Sequence, residues 1–405
     1  MVMMPRNKEA QVFLSLFLVL SLLFVGCGGG KRSPPSIGST PGRLPSPPSM
    51  AKRPVKLDEA PPIRVLLKAN FGSVPVEGSD VDSLRLLQAS GGKIRLADGK
   101  GRVLRSGSGF RLRSRTGRIL KLDGVAYEGV LEVFVNPLGS SVIVNELSLE
   151  TYLKGVVPNE LSTQGASEFE ALKAMTIAAR TFAFSALGQN ASRGFDLYSD
   201  TRSQVCRGAR SEQLLSNRAI EQTRGTLAIY QNQAIVAFYS STCGGVTADY
   251  QEAFQKPGIP YLKGGALCPD HASPYASWEE YIQISRIQRD LDRVAGVGRL
   301  KKLESLQKSR WGRTVKMRFV GDQGEKVLRG LAIRSALGLR STWIFGLEPH
   351  YDGSGYISEI HATGRGWGHG VGLCQTGTVE LSRQGWSYEK ILKHYYTGIT
   401  LARRW

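Results

Sequence analysis

Gly364-Arg-Gly-Trp-Gly-His-Gly-Val-Gly-Leu-Cys-Gln375 carries glycine at every second position, at 364, 366, 368, 370 and 372. Side-chain direction in a strand repeats every two residues. Read as a strand, the segment puts all five glycines on one face and Arg365, Trp367, His369 and Val371 on the other. Glycine inside a strand costs backbone entropy and forfeits packing, so a bare face marks close approach of another backbone or of a ligand. Two readings follow. One is a tightly packed strand crossing. The sharper one is a wall of a groove that admits an extended polymer.

Working outward, the pattern predicts an α+β chain. From Ile63 to Leu149 it is strand-like, with Ile63-Arg-Val-Leu-Leu, Phe110-Arg-Leu-Arg-Ser-Arg, Val130-Leu-Glu-Val-Phe-Val-Asn and Ser141-Val-Ile-Val-Asn separated by Gly-rich turns. The clearest helix is 168–187, where Phe169, Leu172, Met175 or Thr176, Ala179 and Phe182 form an apolar stripe and five alanines allow close packing. Strands resume at 226–230 and 234–239, and a final helix covers 388–396. The domain reading is a basic β-rich module at 63–149, a mixed α/β core at 150–274 and 346–405, and an inserted α+β subdomain at 275–345 with a polar helix near 285–294.

Apolar content of 41% is enough for a real core, and the formal net charge is +19. Lys93, Arg95, Lys100, Arg102, Arg105, Arg111, Arg113, Arg115, Arg118 and Lys121 concentrate charge in the β-rich module. They read either as a solvated strand face or as a hold on an anionic wall or lipid surface. No zinc-finger spacing, helix-turn-helix pattern or aromatic-glycine RNA signature is present, so nucleic acid is not the expected partner.

Arg6 and Lys8 precede an apolar run from Val12 to Val25 that fits a signal-peptide core and is short for a membrane span. The run ends Leu-Phe-Val-Gly-Cys27, which resembles a bacterial lipoprotein signal with Cys27 as the lipidated first residue of the mature chain. Phe24 is bulkier than the usual leucine there. Residues 1–27 are then the signal, and 28–62, rich in Pro, Ser and Gly, are a tether. The expected location is the cell envelope, at the outer membrane if the cell has two. Export into an oxidising compartment leaves three complete pairings for Cys206, Cys243, Cys268 and Cys374.

Val-Val-Pro-Asn-Glu at 156–160, Glu-Ala-Leu-Lys-Ala at 170–174, Ala-Ala-Arg-Thr-Phe-Ala at 178–183, Ser-Ser-Thr-Cys-Gly-Gly at 240–245, the glycine segment, and His-Tyr-Tyr at 394–396 together resemble the stage II sporulation protein D family over roughly 63–405. That family includes peptidoglycan lytic transglycosylases and enhancers of cell-wall amidases. The resemblance implies that Glu160 is the catalytic carboxyl, acting on the β-1,4 bond between N-acetylmuramic acid and N-acetylglucosamine in glycan strands, with stem-peptide-free strands a matching substrate. It also leaves open a binding module that serves a separate amidase.

Read from its residues, Glu160 follows Pro158, which fixes the local backbone. A carboxyl on a short rigid turn is either a cap or ion-pair partner, or a partly desolvated general acid. Lys173 and Arg180 lie seven apart on the predicted helix and share a face with Thr176. They read as a solvated stripe or as substrate-facing cations, and the resemblance implies the latter. Met175 stands where the family pattern has glutamine. Trp367 and His369 suit a sugar-stacking wall, and Gln375 a donor to substrate. The Gln-Thr-Gly-Thr at 375–378 departs from the family's Gln-Trp-Gly-Ala, which removes a stacking tryptophan.

Cys268-Pro-Asp-His271 has the spacing of two zinc ligands, with Cys243 a third. The competing and preferred reading in an exported protein is a Cys243–Cys268 disulfide, so no cofactor is required and a structural zinc is the alternative. A metal-dependent peptidase is disfavoured, because histidines 271, 350, 361, 369 and 394 show no His-x-x-x-His or His-Glu-x-x-His spacing.

Overall fold

The structure, a computed structural model, describes residues 59–78, 81–89, 92–113, 119–162 and 165–405. Cys27, the signal, most of the tether, Arg115 and Arg118 lie outside the described residues. No helix among the described residues is long and apolar enough to cross a membrane.

The chain is α+β, with a strand-rich N-terminal part. One five-stranded sheet has the order Leu197–Tyr198, Pro62–Ala69, Ser141–Ser148, Val130–Val135, Gly109–Leu112. A six-stranded sheet runs Val103–Gly107, Lys93–Asp98, Val81–Ala89, Ser73–Gly78, Leu120–Leu122, Val125–Tyr127. Alternation divides the first sheet's side chains. Leu131, Val133 and Ile143 join Val74, Val76, Leu86 and Ile94 of the second sheet, while Val142, Val144 and Phe134 pack with Leu66 and Phe195 on the other face. Leu197–Tyr198 pairs in parallel with the first strand, and Ile63 and Val65 enter the main core. The strand-rich part is therefore stitched into the core. Some of its cations are already engaged, since Arg111 bonds both Glu132 and Glu146.

The main core is built on helices α1 (Leu149–Lys154), α2 (Val157–Glu160), α3 (Phe169–Ser185) and α4 (Leu214–Gln222), and on α5 (Tyr250–Phe254), α8 (Gln375–Arg383) and α9 (Tyr388–Tyr395). Between them, α6 (Ile284–Val294) and α7 (Leu331–Leu337) pack on two three-stranded sheets over a separate apolar cluster that runs from Trp278 to Ala362.

The glycine segment departs from the strand expectation. A strand covers Ile357–Arg365 and then stops. Gly366, Gly368, Gly370 and Gly372 take φ of 78°, 110°, 73° and 73°, the left-handed region that glycine enters freely. A Cβ on Gly366 would stand 2.8 Å from the Thr242 carbonyl oxygen, and one on Gly372 would overlap the Phe238 carbonyl. The bare positions face the protein itself: backbone at Gly366 and Gly372, the Ser240 side chain at Gly368 and the Arg313 guanidinium at Gly370. The tight-crossing reading describes them, and the groove-floor reading does not. Backbone bonds knit the segment to 238–248: Trp367 and Thr242 exchange N–H···O bonds at 2.8 and 3.1 Å, and Ala248 N–H donates to the Gly370 carbonyl at 2.8 Å. Leu373–Cys374 then pairs in parallel with Tyr239–Ser240.

Helix α3 is covered on most sides, with Ala171, Leu172, Ala174, Ile177, Ala178 and Thr181 all buried. Arg180 therefore projects into protein. Its Nε and Nη2 donate to the Glu150 carboxylate at 3.0 and 2.8 Å, and further bonds reach Thr223 Oγ1 and the Ile220 carbonyl. Glu150 also accepts from Gly225 N and Trp405 Nε1, so one carboxylate ties α1, α3 and the C-terminus together.

Removing one member of a buried hydrogen-bonded ion pair strands the other. Arg180→Ala and Glu150→Ala should each lower unfolding free energy by about 3–5 kcal/mol, with the double variant far below their sum. Urea unfolding of the four-membered cycle checks this, and additive losses would contradict the pairing. Gly372→Ala, strained in φ and blocked by Phe238, should cost at least about 1–3 kcal/mol in the same assay.

Candidate functional site around Glu160

Ser148 Oγ caps α1 by accepting from Thr151 N at 3.1 Å, and Gly155 ends it. Helix α2 follows as a single turn. Pro158 is tolerated there because first-turn N–H groups lack helical partners anyway. Asn159 Nδ2 donates to the Gly155 carbonyl at 2.8 Å and locks the two turns together. Glu160 is the last residue of that turn and is half-buried.

Three donors converge on its carboxylate. Val205 N–H donates to Oε1 at 2.9 Å, Gln375 Nε2 donates to Oε2 at 3.2 Å, and the Tyr239 hydroxyl adds a third bond. The relay behind Tyr239 has a direction. Tyr152 OH donates to Gln204 Oε1 at 3.1 Å, and Gln204 Nε2 donates to the Tyr239 oxygen at 3.0 Å, which leaves the Tyr239 proton for Glu160. Burial pushes the Glu160 carboxyl above its ordinary value, and the bonds from Val205, Gln375 and Tyr239 oppose that without cancelling it. The group is a carboxyl poised to hold a proton at higher pH than a free glutamate, in fixed orientation.

The other expected residues distribute differently. Gln375, first residue of α8, joins Glu160. Lys173 is paired with Glu170, and its ammonium lies over the rings of Phe169 and Tyr388 at 5.2 and 5.0 Å. Arg180 is corrected from a substrate-facing cation to the buried pin described above, and Thr176 from a polar stripe to an in-helix bond with the Leu172 carbonyl. His369 packs between Phe238 and Phe254, and its Nδ1 accepts from Val371 N at 3.0 Å. Burial, aided by Arg334 and Arg313, pushes its pKa down to about 3, so it is a neutral packing group at any ordinary pH. Trp367 meets Tyr275 edge-on at 4.1 Å, with the Arg340 guanidinium over both rings. A cleft of about 1070 Å³ lies elsewhere, lined by Asp249, Glu252, Lys256, Arg310 and Trp311 among others, and Glu160 is not in its wall.

The expected Cys243–Cys268 disulfide is also corrected. Both are free thiols, and so are Cys206 and Cys374. His271 is exposed and apart, while the sulfurs of Cys243, Cys268 and Cys374 gather within 4.8 Å of one another. Sequence reading missed Tyr239, Gln204 and Cys374 as site members. Tyr239 directly precedes the Ser-Ser-Thr-Cys-Gly-Gly block and was findable from it. Gln204 carries no local signal.

A family model described as stage II sporulation protein matches residues 139–230, which include Glu160, and a domain of unknown function, DUF8618, matches 270–372. An uncharacterised protein of Brachyspira hyodysenteriae is 30% identical over 282 residues, covering 69% of this chain and 73% of the relative. Stage II sporulation protein D of Bacillus subtilis is 30% identical over 281 residues, 64% of this chain and 76% of the relative. A Bacillus subtilis protein named amidase enhancer is 27% identical over 388 residues, 81% of this chain and 52% of the relative. With Glu160 and Gln375 held in one bonded cluster and similarity of that extent around them, the chain belongs to the stage II sporulation protein D family.

Proposed function

We propose that the chain is a peptidoglycan lytic transglycosylase, exported and held at the cell envelope by lipid on Cys27, with Glu160 as its general acid and base. The observation that carries this reading is the Glu160 carboxyl itself, half-buried, raised in pKa and aimed by three donors. In the protonated form it gives its proton to the glycosidic oxygen between N-acetylmuramic acid and N-acetylglucosamine as that bond breaks. The sugar's N-acetyl group stabilises the oxocarbenium-like carbon. The resulting carboxylate removes the proton of the muramic 6-hydroxyl, whose oxygen closes on the anomeric carbon to give a 1,6-anhydro end. The proton count returns to its start and no water is consumed. Gln375 and Tyr239 orient the carboxylate and carry its charge between the two transfers.

A second reading has one specific support, the similarity to a protein named amidase enhancer across 81% of this chain. On that reading the chain binds glycan and presents it to a cell-wall amidase without cutting it.

Digestion of purified glycan strands, followed by mass spectrometry, separates the two. The first reading expects anhydro-muramyl ends, with Glu160→Gln slowed about 10²- to 10⁴-fold while glycan binding persists. Stem peptides released only when an amidase is added, with no anhydro ends at any time, would establish the second reading instead. Tyr239→Phe removes a donor to the carboxylate, so its pKa rises further. Activity that needs the protonated acid falls as pH rises through that pKa, and the falling limb of kcat/KM should move to higher pH in this variant. A limb unmoved or shifted to lower pH would remove Tyr239 from the role.

A further inference from the structure

We propose that Cys243, Cys268, Cys374 and Asp270 form a closed structural zinc site. The three sulfurs come from three separate segments: the Thr-Cys-Gly-Gly turn, the loop at 266–270, and the residue that caps α8. Cys243 and Cys374 are fully buried, Asp270 is 2% exposed and Cys268 is 9% exposed. Zinc with sulfur at about 2.3 Å and oxygen at about 2.0 Å, in a tetrahedron, spaces sulfur from sulfur by about 3.8 Å and sulfur from oxygen by about 3.5 Å. Asp270 Oδ2 lies 3.3 Å from Cys243 Sγ and 3.6 Å from Cys374 Sγ. The carboxylate already stands at that edge length from two of the three sulfurs.

Donors and a cation surround the sulfurs. Cys374 Sγ accepts backbone N–H bonds from Cys243 at 3.2 Å and Gly377 at 3.4 Å, and the Tyr395 hydroxyl lies 3.5 Å from Cys268 Sγ. Arg313, only 4% exposed, donates to the carbonyls of Cys243 and Val246, and its Nε and Nη1 are buried with no hydrogen-bond partner. It makes no ion pair with a carboxylate among the described residues, and it interacts with the charges of the three cysteines and Asp270, and with Glu252. Three thiolates and one carboxylate around a divalent ion leave two net negative charges, which a buried guanidinium offsets in part. A disulfide among three clustered sulfurs would leave one thiol unpaired and Arg313 facing a neutral bridge. Soft thiolates in a closed tetrahedron select zinc, and binding releases the thiol protons. Cys374 directly precedes Gln375, so the ion would fix the start of α8 where Gln375 meets Glu160.

The full chain, purified in detergent without chelator, should carry about one zinc ion per chain. Stripping the metal should lower its melting temperature, and added zinc should restore it. Cobalt exchanged into the chain should give a thiolate-to-metal charge-transfer band. Cys374→Ser should weaken that band, Asp270→Asn should keep it with affinity reduced at least about tenfold, and Cys206→Ser should change neither. A metal-free chain whose mass is lowered by two hydrogens, through a disulfide between two of the three cysteines, overturns the site. Zinc content unaltered by Cys374→Ser also overturns it. Should that variant not fold, the cobalt spectrum of the unsubstituted chain decides, and absence of the band counts against the proposal. Metal content is read independently of glycan cleavage, so either proposal can fail alone.

Discussion

The carboxyl of Glu160 is held between two opposed effects. Burial disfavours its charged form, and donors from Val205, Gln375 and Tyr239 favour it. Burial wins, and the donors limit how far it raises the carboxyl. Each unit of pKa is worth about 1.4 kcal/mol of preference, so loss of one hydrogen bond is enough to move the balance by about a unit. A fully solvated glutamate would titrate too low to hold its proton, and a fully unpartnered one could not release it. The chemistry proposed above needs both.

The fold supplies those donors from distant parts of the chain. Tyr239 and Gln375 meet because the strands Tyr239–Ser240 and Leu373–Cys374 lie side by side in parallel. That pairing depends on Gly366, Gly368 and Gly372, which let the backbone pass against 238–243 where a side chain would collide. Gln204, fully buried, bridges Tyr152 and Tyr239 and also donates to the Ala179 carbonyl of α3. Helix α3 is in turn fixed by Arg180 on Glu150, beneath the C-terminal Trp405. The route from the buried ion pair to the carboxyl is thus a run of packed and hydrogen-bonded elements.

Much of this was legible in the chain. The family blocks singled out Glu160; the Pro-Asn-Glu turn alone marked a rigidly presented carboxyl that reads equally as a cap or an ion-pair partner. The long helix was readable from its stripe, and the N-terminal strands from their alternation. Other features resisted for physical reasons. A glycine repeat of two is common to a strand and to a chain that repeatedly enters left-handed φ, so spacing did not choose between them. Arg180 and Lys173 do share a helical side by spacing, but spacing cannot say whether that side meets water, and alanines on the remaining sides signalled a helix covered all round. Cys374 sits 106 residues beyond Cys268, and only the tertiary fold brings their sulfurs together. The local Cys-x-x-His spacing drew attention to His271, which is exposed and plays no part in the cluster.

The account turns on Glu160 keeping its proton above the pH at which ordinary glutamates lose theirs. Carbon-13 labelling of glutamate side chains, with the Glu160 resonance assigned by its absence in Glu160→Gln, gives that titration directly by NMR. A midpoint clearly above the free-glutamate value of about 4.3 is the expected result. A midpoint at or below that value would show a carboxylate held charged by its donors, and would contradict the role assigned to it.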